Sequence, residues 1–230
     1  MLKLQDITVQ QGDFSLAADM NLPTGGRFAV IGASGSGKST LLSLIGGFLS
    51  PDHGSILWNG QNITPMAAGD RPVSSLFQHH NLFPHLTVKQ NIGMGLRPDL
   101  RLDRDQKSRV SQVLDQVGLT GTADRKPAAL SGGQQSRVAL ARVLLRARPV
   151  LLLDEPFAAL GPALKTEMLG LLADIADSTN ATVLMVTHDP QDARAFSPQT
   201  ILVEDGRAHP PQETAPLLDN PPAGLRAYLG

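Results

Sequence analysis

The chain has 230 residues, 41% hydrophobic and 18% charged, enough apolar material to bury the core of one large domain and far from the charge-heavy composition of disorder. Its 20 basic and 21 acidic residues leave a net charge of −1, so no broad basic field is available for a phosphate backbone and nucleic acid is not expected as a partner. Cysteine is absent, which excludes disulfides, thiolate metal sites and cysteine nucleophiles, and no apolar run approaches the roughly 18 residues that span a bilayer.

The first ten residues, MLKLQDITVQ, lack the apolar core of a secretion signal. Beyond them, β-branched apolar runs alternate with helical patterns, the rhythm of a parallel sheet covered by helices. Strands are expected at Arg27–Ile31, Ser55–Trp58, Val73–Phe77, Val150–Leu153, Thr182–Val186 and Gln199–Val203. Helices are expected at Lys38–Gly47, Arg104–Val117, Gly132–Arg146 and Pro162–Ala176, the last three each with an apolar face. No strand is expected between Gln78 and about Arg148, so residues 79–148 read as a helical subdomain within one α/β domain. Five prolines fall between Pro210 and Pro222, and residues 208–230 are expected to form an irregular tail.

Three motifs carry chemistry. Gly32-Ala33-Ser34-Gly35-Ser36-Gly37-Lys38-Ser39, continuing into Thr40, matches the phosphate-binding loop and has the required strand before it and helix after it. Its glycines let successive N–H groups turn inward around phosphates, Lys38 adds a point charge, and the Ser39 hydroxyl suits Mg²⁺. Val150-Leu151-Leu152-Leu153-Asp154-Glu155-Pro156 follows about 115 residues later: a buried strand ending in two carboxylates at the end of a parallel sheet where ligands bind. Asp154 suits holding Mg²⁺ and Glu155 suits polarising an attacking water. Leu130-Ser131-Gly132-Gly133-Gln134 opens an amphipathic helix, with Ser131 as its cap and exposed N–H groups as a second anion site.

Taken in order, the phosphate loop, Gln78 after a strand, the Leu130–Gln134 element, the strand ending in Asp154-Glu155-Pro156 and Val186-Thr187-His188-Asp189 resemble the ATP-binding subunits of ABC transporters over about residues 2 to 207. The resemblance implies a P-loop NTPase fold with a mainly parallel central sheet, an N-terminal antiparallel β subdomain and a helical insert. It further implies that ATP and Mg²⁺ are bound, and that Ser131, Gly132, Gly133 and Gln134 of one chain meet nucleotide held by the phosphate loop of another, in a homodimer. Position by position, it makes Glu155 the catalytic glutamate, His188 a γ-phosphate contact, and Gln78 a residue touching both Mg²⁺ and the attacking water. The metal set is then Ser39, Gln78 and Asp154.

The chain departs from that pattern in three places. Ala158-Ala159-Leu160-Gly161 stands where the family usually has Ser-Ala-Leu-Asp, which removes a hydroxyl and a carboxylate expected to help the two subunits communicate. The aromatic residue that usually stacks on adenine falls at Gln11, with Phe14 as a neighbouring substitute. Ser136 occupies a position that is often basic, from which little effect is expected.

His79 to Val88 resembles the importer segment that lines a groove for a helix of the membrane subunit. A narrower resemblance, to the ATP-binding subunits of bacterial thiamine importers, is carried by MLKLQDIT, by Gly47–Pro51, and by Arg71–Gln78 continuing through Asn91–Leu96. It implies membrane permease subunits as partners, a solute-binding protein indirectly, and a peripheral place on the cytoplasmic face of the inner membrane. Two rivals remain: the ATPase of another importer or of an export or lipoprotein-extraction system, and an ATPase acting on nucleic acid or ribosomes.

Overall fold

A computed structural model describes residues 1–76 and 82–229, the last three through their backbone only. In chain order the strands are β1 (Leu2–Gln11), β2 (Phe14–Leu22), β3 (Arg27–Ile31), β4 (His53–Trp58), β5 (Gln61–Asn62), β6 (Val73–Leu76), β7 (Val150–Asp154), β8 (Thr182–Val186), β9 (Gln199–Glu204), β10 (Arg207–Ala208) and β11 (Gln212–Glu213). The helices are α1 (Lys38–Gly46), α2 (Val88–Gly93), α3 (Arg104–Gln116), α4 (Gly132–Leu145), α5 (Pro162–Thr179), α6 (Pro190–Phe196), α7 (Thr214–Asp219) and α8 (Ala223–Leu229), with a 3-10 turn at Pro127–Ala129.

Among the described residues the strands form one curled sheet in the order β5-β4-β1-β2-β10-β9-β3-β8-β7-β6, with β11 added on β9. The first part is antiparallel and the stretch β9-β3-β8-β7-β6 is parallel. Two-residue β10 joins them, running antiparallel to β9 and parallel to β2. β1 and β2 alternate buried with exposed residues, as strands with one wet face must, whereas β7 and β8 are covered on both sides and read as unbroken apolar runs. The period of two still operates in β7: Val150 and Leu152 face α1, while Leu151 and Leu153 face α4 and α5.

Helix α1 lies between the antiparallel and parallel parts. Leu41, Leu42, Leu44 and Ile45 are buried in the largest cluster with Leu4, Leu16, Val30, Leu152 and Val203. Residues 88–145 fold as α2, α3 and α4 over a separate core of Val88, Ile92, Val110, Leu114, Val138 and Leu145. Each of these helices starts with a reciprocal capping box, Thr87 with Gln90, Asp103 with Gln106, and Ser131 with Gln134.

The expected strands and helices appear within one to three residues of their bounds. The end of the predicted strand at Phe77 and the residue Gln78 lie outside the described residues. The irregular tail is corrected: residues 212–229 carry β11, α7 and α8, and Leu217, Leu218 and Leu225 are buried against Ala29, Ile31, Ala193 and Leu202. Proline density misled because each proline occupies a tolerant place. Pro216 lies in the first turn of α7, where its missing N–H has no helical acceptor, and Pro221 and Pro222 precede α8.

The C-terminus of α1 is closed by a buried cation. Arg71, 1% exposed, donates through Nη1 to the carbonyls of Leu44 (2.6 Å) and Ile45 (2.9 Å), through Nη2 to Thr64 (2.8 Å) and through Nε to Met66 (3.2 Å). Among the described residues no carboxylate shares these bonds; the partial negative charge of the helix end and the carbonyl oxygens solvate the guanidinium. Arg71→Met keeps much of the volume but strands the carbonyls. It is expected to cost about 3 kcal/mol of unfolding free energy in urea titrations. A loss under about 0.5 kcal/mol would mean that water replaces the guanidinium at no cost.

Candidate functional site

The loop between β3 and α1 is shaped by contacts that exclude side chains. A Cβ on Gly32 would stand 2.0 Å from the Val203 carbonyl oxygen, and one on Gly37, whose φ is 110°, would stand 2.7 Å from the Phe14 ring. Gly37 caps α1, and the N–H groups of Gly37, Lys38, Ser39 and Thr40 precede the first intrahelical acceptor. They open, with Ser34 and Gly35, into a cleft of ≈ 470 Å³ whose other wall is Asp154, Glu155, Val186 and His188. Ala33 and Ser36 shape the turn: Ser36 N–H donates to the Ala33 carbonyl at 3.2 Å.

Lys38 is buried, and its ammonium donates to the carbonyls of Gly32 (2.7 Å) and Ala33 (2.8 Å). Burial pushes its pKa down, opposed by the nearby Glu155 and Asp154 carboxylates. Asp154 is pushed up, first by burial and then by Glu155, while a hydrogen bond from Ser39 and the charge of Lys38 pull it back. Glu155 has φ 46°, a left-handed conformation costly for a residue with a Cβ. Its N–H donates to the Val186 carbonyl (3.1 Å), which ties the ends of β7 and β8 together. His188 Nδ1 stands 3.3 Å from Glu155 Oε2.

The chain thus brings together Lys38, Ser39, Thr40, Asp154, Glu155 and His188 from three loops at the C-terminal ends of β3, β7 and β8. A buried cation, inward N–H groups, a hydroxyl and two carboxylates make a donor set that fits a triphosphate with a divalent cation. Gln11 and Phe14 both line the cleft beside the phosphate loop, at the β1–β2 turn. Gln78, the remaining predicted metal residue, lies outside the described residues.

Ser131, Gly132, Gly133 and Gln134 do not line this cleft. Ser131 and Gly132 are exposed, and the Ser131 and Gln134 side chains are committed to each other's backbone N–H groups. The two glycines differ in kind. A Cβ on Gly133 would stand 2.1 Å from Leu164 of α5, whereas nothing lies within 4 Å of one on Gly132, which leaves that backbone open to an incoming ligand. Gly161 caps α5 with no side-chain bond, with φ −67° and open space around it, so nothing steric demands glycine there. Ser136 is buried and donates to the Gly132 carbonyl at 3.1 Å.

Sequence reading missed the groups around His188. Thr187 Oγ1 donates to Asp192 Oδ2 (3.0 Å) and accepts from the Asp189 N–H (3.1 Å), and Lys165 of α5 bridges Asp189 and Asp192. Charged residues in the first turns of α5 and α6 are the only trace of this network in the sequence.

A strand–loop–helix phosphate site on β3, with two carboxylates at the end of the parallel strand β7 one strand removed, defines a P-loop nucleotide-binding protein. A family model described as ABC transporter matches residues 17–158. The thiamine import ATP-binding protein ThiQ of Cereibacter sphaeroides is 60% identical over 230 residues, covering 100% of both chains. Among solved structures, a dimeric ATP-binding cassette in a post-hydrolysis state bound to ADP and Pi is 30% identical with a TM-score of 0.79, covering 93% of this chain and 99% of that one. CbiO1 from Clostridium perfringens, part of the ABC transporter complex cbiONQ, is 28% identical with a TM-score of 0.85, covering 95% and 90%. The chain belongs to the ABC transporter family.

Because burial raises the Asp154 pKa, the folded state holds that proton to higher pH than the unfolded chain, and the ionised carboxylate weakens the fold above the raised pKa. Asp154→Asn is therefore expected to raise the melting temperature of the nucleotide-free protein at neutral pH by about 2–4 °C. The gain should shrink as the pH falls toward the carboxylate range. An unchanged or lower melting temperature at neutral pH would show that Ser39 and Lys38 already compensate the buried charge.

Proposed function

We propose that this chain is the ATP-hydrolysing subunit of a bacterial thiamine importer, acting as a homodimer on the cytoplasmic face of the inner membrane beneath permease subunits that receive solute from a binding protein. The observation that carries the reading is full-length identity of 60% to a thiamine import ATP-binding protein, with the chemical groups of a nucleotide site converging in one cleft. No helix among the described residues is long and apolar enough to cross a membrane, which agrees with a subunit that works on other chains.

In this reading the N–H groups at the start of α1 and the Lys38 ammonium bind the β- and γ-phosphates, and Lys38 exchanges its loop carbonyls for phosphate oxygens. Mg²⁺ arriving with ATP would be held by Ser39, Asp154 and Gln78 and would neutralise phosphate charge. Glu155 orients and polarises the attacking water, and His188 steadies both Glu155 and the γ-phosphate. Ser131 to Gln134 of the second copy close the site, which explains why this exposed element lies away from the cleft of its own chain. The dimeric cassette with ADP and Pi supports that arrangement.

Permease docking is supported by a groove of ≈ 340 Å³ lined by Phe83, Met94, Leu96, Pro98 and Arg146, with Ser74 and Ser75 of β6 at its floor. Buried Asn91 shapes its rim, accepting from Phe83 N–H and donating to the carbonyls of Phe83, Leu86 and Thr87. Phe83 thereby stays 39% exposed on a rigid turn, available to an apolar partner surface.

Glu155→Gln is expected to bind ATP, accumulate as a dimer in size-exclusion chromatography, and lose turnover by about a thousandfold. Normal turnover in that variant removes Glu155 from the reaction. For the solute, the chain reconstituted with its permease should hydrolyse ATP faster when thiamine-loaded binding protein is added, and a different stimulating solute would replace thiamine in this reading.

A further inference from the structure

The cleft is assembled from loops that have no direct covalent reason to stay in register. Glu155 follows β7, whose chain continues through Phe157 and Leu160 into α5; His188 follows β8 and leads into α6. Besides the His188–Glu155 contact, the Lys165 side chain spans these two branches. Lys165, in the first turn of α5, places Nζ 3.0 Å from Asp189 Oδ2 and 3.3 Å from Asp192 Oδ2. The Lys165 and Asp192 side chains are 16% and 13% exposed, so this is a partly dehydrated ion triad rather than a surface pair, and it is screened little by salt.

Both acids of the triad also make hydrogen bonds within the turn that carries His188 and the start of α6. Asp189 Oδ1 accepts from Gln191 N–H (2.9 Å) and caps α6, and Asp189 N–H donates to Thr187 Oγ1 (3.1 Å). Asp192 Oδ2 accepts from Thr187 Oγ1 (3.0 Å), while Thr187 N–H donates to the Val30 carbonyl of β3 (3.2 Å). His188 therefore sits between two residues that are locked by the same two carboxylates, and its own Nδ1 lies 3.3 Å from Glu155. The 52% exposure of the His188 side chain means that packing alone does not hold the ring.

We propose that Lys165 is a positioning residue: by drawing Asp189 and Asp192 onto α5 it fixes the His188 turn relative to the Glu155 branch, so that imidazole and carboxylate meet the γ-phosphate and water in one geometry. The inference rests on the ATPase reading given above. Lys165 touches neither substrate nor the reacting atoms; the triad acts through the backbone of residues 187–189. Because a misplacement of about 1 Å can cost about a hundredfold in rate, loss of the strut lowers turnover while leaving the phosphate loop, and hence nucleotide binding, intact.

Steady-state ATPase kinetics of Lys165→Met, Lys165→Arg, Asp189→Asn/Asp192→Asn and the triple variant test this, with a fluorescent ATP analogue measuring nucleotide affinity. Asparagine at 189 retains the cap on α6, so that variant removes charge rather than the helix start. The expected result is a kcat about ten- to a hundredfold lower for Lys165→Met with KM and analogue affinity within about twofold, recovery in Lys165→Arg, and no further loss when the lysine and aspartate changes are combined. Full kcat in Lys165→Met, equal losses in kcat and affinity, or strictly additive losses in the triple variant would overturn the strut. The unaltered chain and Glu155→Gln separate the two levels: no ATP hydrolysis by the unaltered chain with its permease removes the ATPase reading and this inference with it, normal turnover in Glu155→Gln removes the Glu155–His188 geometry on which the strut acts, and a stalled Glu155→Gln beside a fully active Lys165→Met removes the strut alone.

Discussion

The structure depends on the seating of one nine-residue helix. α1 must present its N-terminal N–H groups to a charged ligand, yet every other side of it is enclosed by apolar residues from both parts of the sheet. A helix buried this way leaves its C-terminal carbonyls without water, and Arg71 is the answer to that constraint: a cation in place of a hydration shell. The two ends of α1 are thus complementary, with positive potential open to phosphate at one and a buried guanidinium absorbing the negative end at the other. The curl of the sheet, made possible by the two residues of β10, is what wraps the helix.

The same enclosure sets the electrostatics of the cleft. Lys38 and Asp154 are both driven toward their neutral forms by burial and both held back by opposite charges and hydrogen bonds. Neither is comfortable without a ligand, and Glu155 adds a left-handed backbone to the local strain. A site with unspent donors and acceptors in a low-dielectric setting gains most when a polyanion with a divalent cation enters, since each group then acquires its intended partner. Stability is traded for readiness at this end of the sheet, while the well-satisfied polar side chains Arg71 and Asn91 lie elsewhere.

What the single chain lacks is as informative as what it holds. The Ser131 element is a finished helix start with exposed residues at Ser131 and Gly132, packed through Gly133 on Leu164, but it does not line its own cleft. In the proposed homodimer this element is the surface offered to the second copy. The α5 helix that packs behind Gly133 also carries Lys165, so the Ser131 element and the turn carrying His188 both contact the same helix.

Local rules made much of this legible. Glycines spaced before Gly37-Lys38-Ser39, a four-residue apolar run before Asp154-Glu155, and Ser131 followed by Gln134 three positions later announce a phosphate loop, a buried parallel strand and a capping box, because each depends on chemistry within a few residues. The order of these motifs then pointed to the family and its curled α/β fold. The tail was misread because proline counts carry no information about which N–H groups a fold needs; only the apolar face of β3 and β9, waiting to be covered, makes Leu217, Leu218 and Leu225 helical. Nothing local marks Arg71 or Lys165 for the places they take, because their partners come from distant segments. Sequence by itself determined which groups could bind and activate a phosphate, since that is a property of residue type and short-range geometry. Tertiary structure alone decided that those groups converge, that one cation is buried among carbonyls and another bridges two helices, because burial and long-range pairing exist only once distant segments pack.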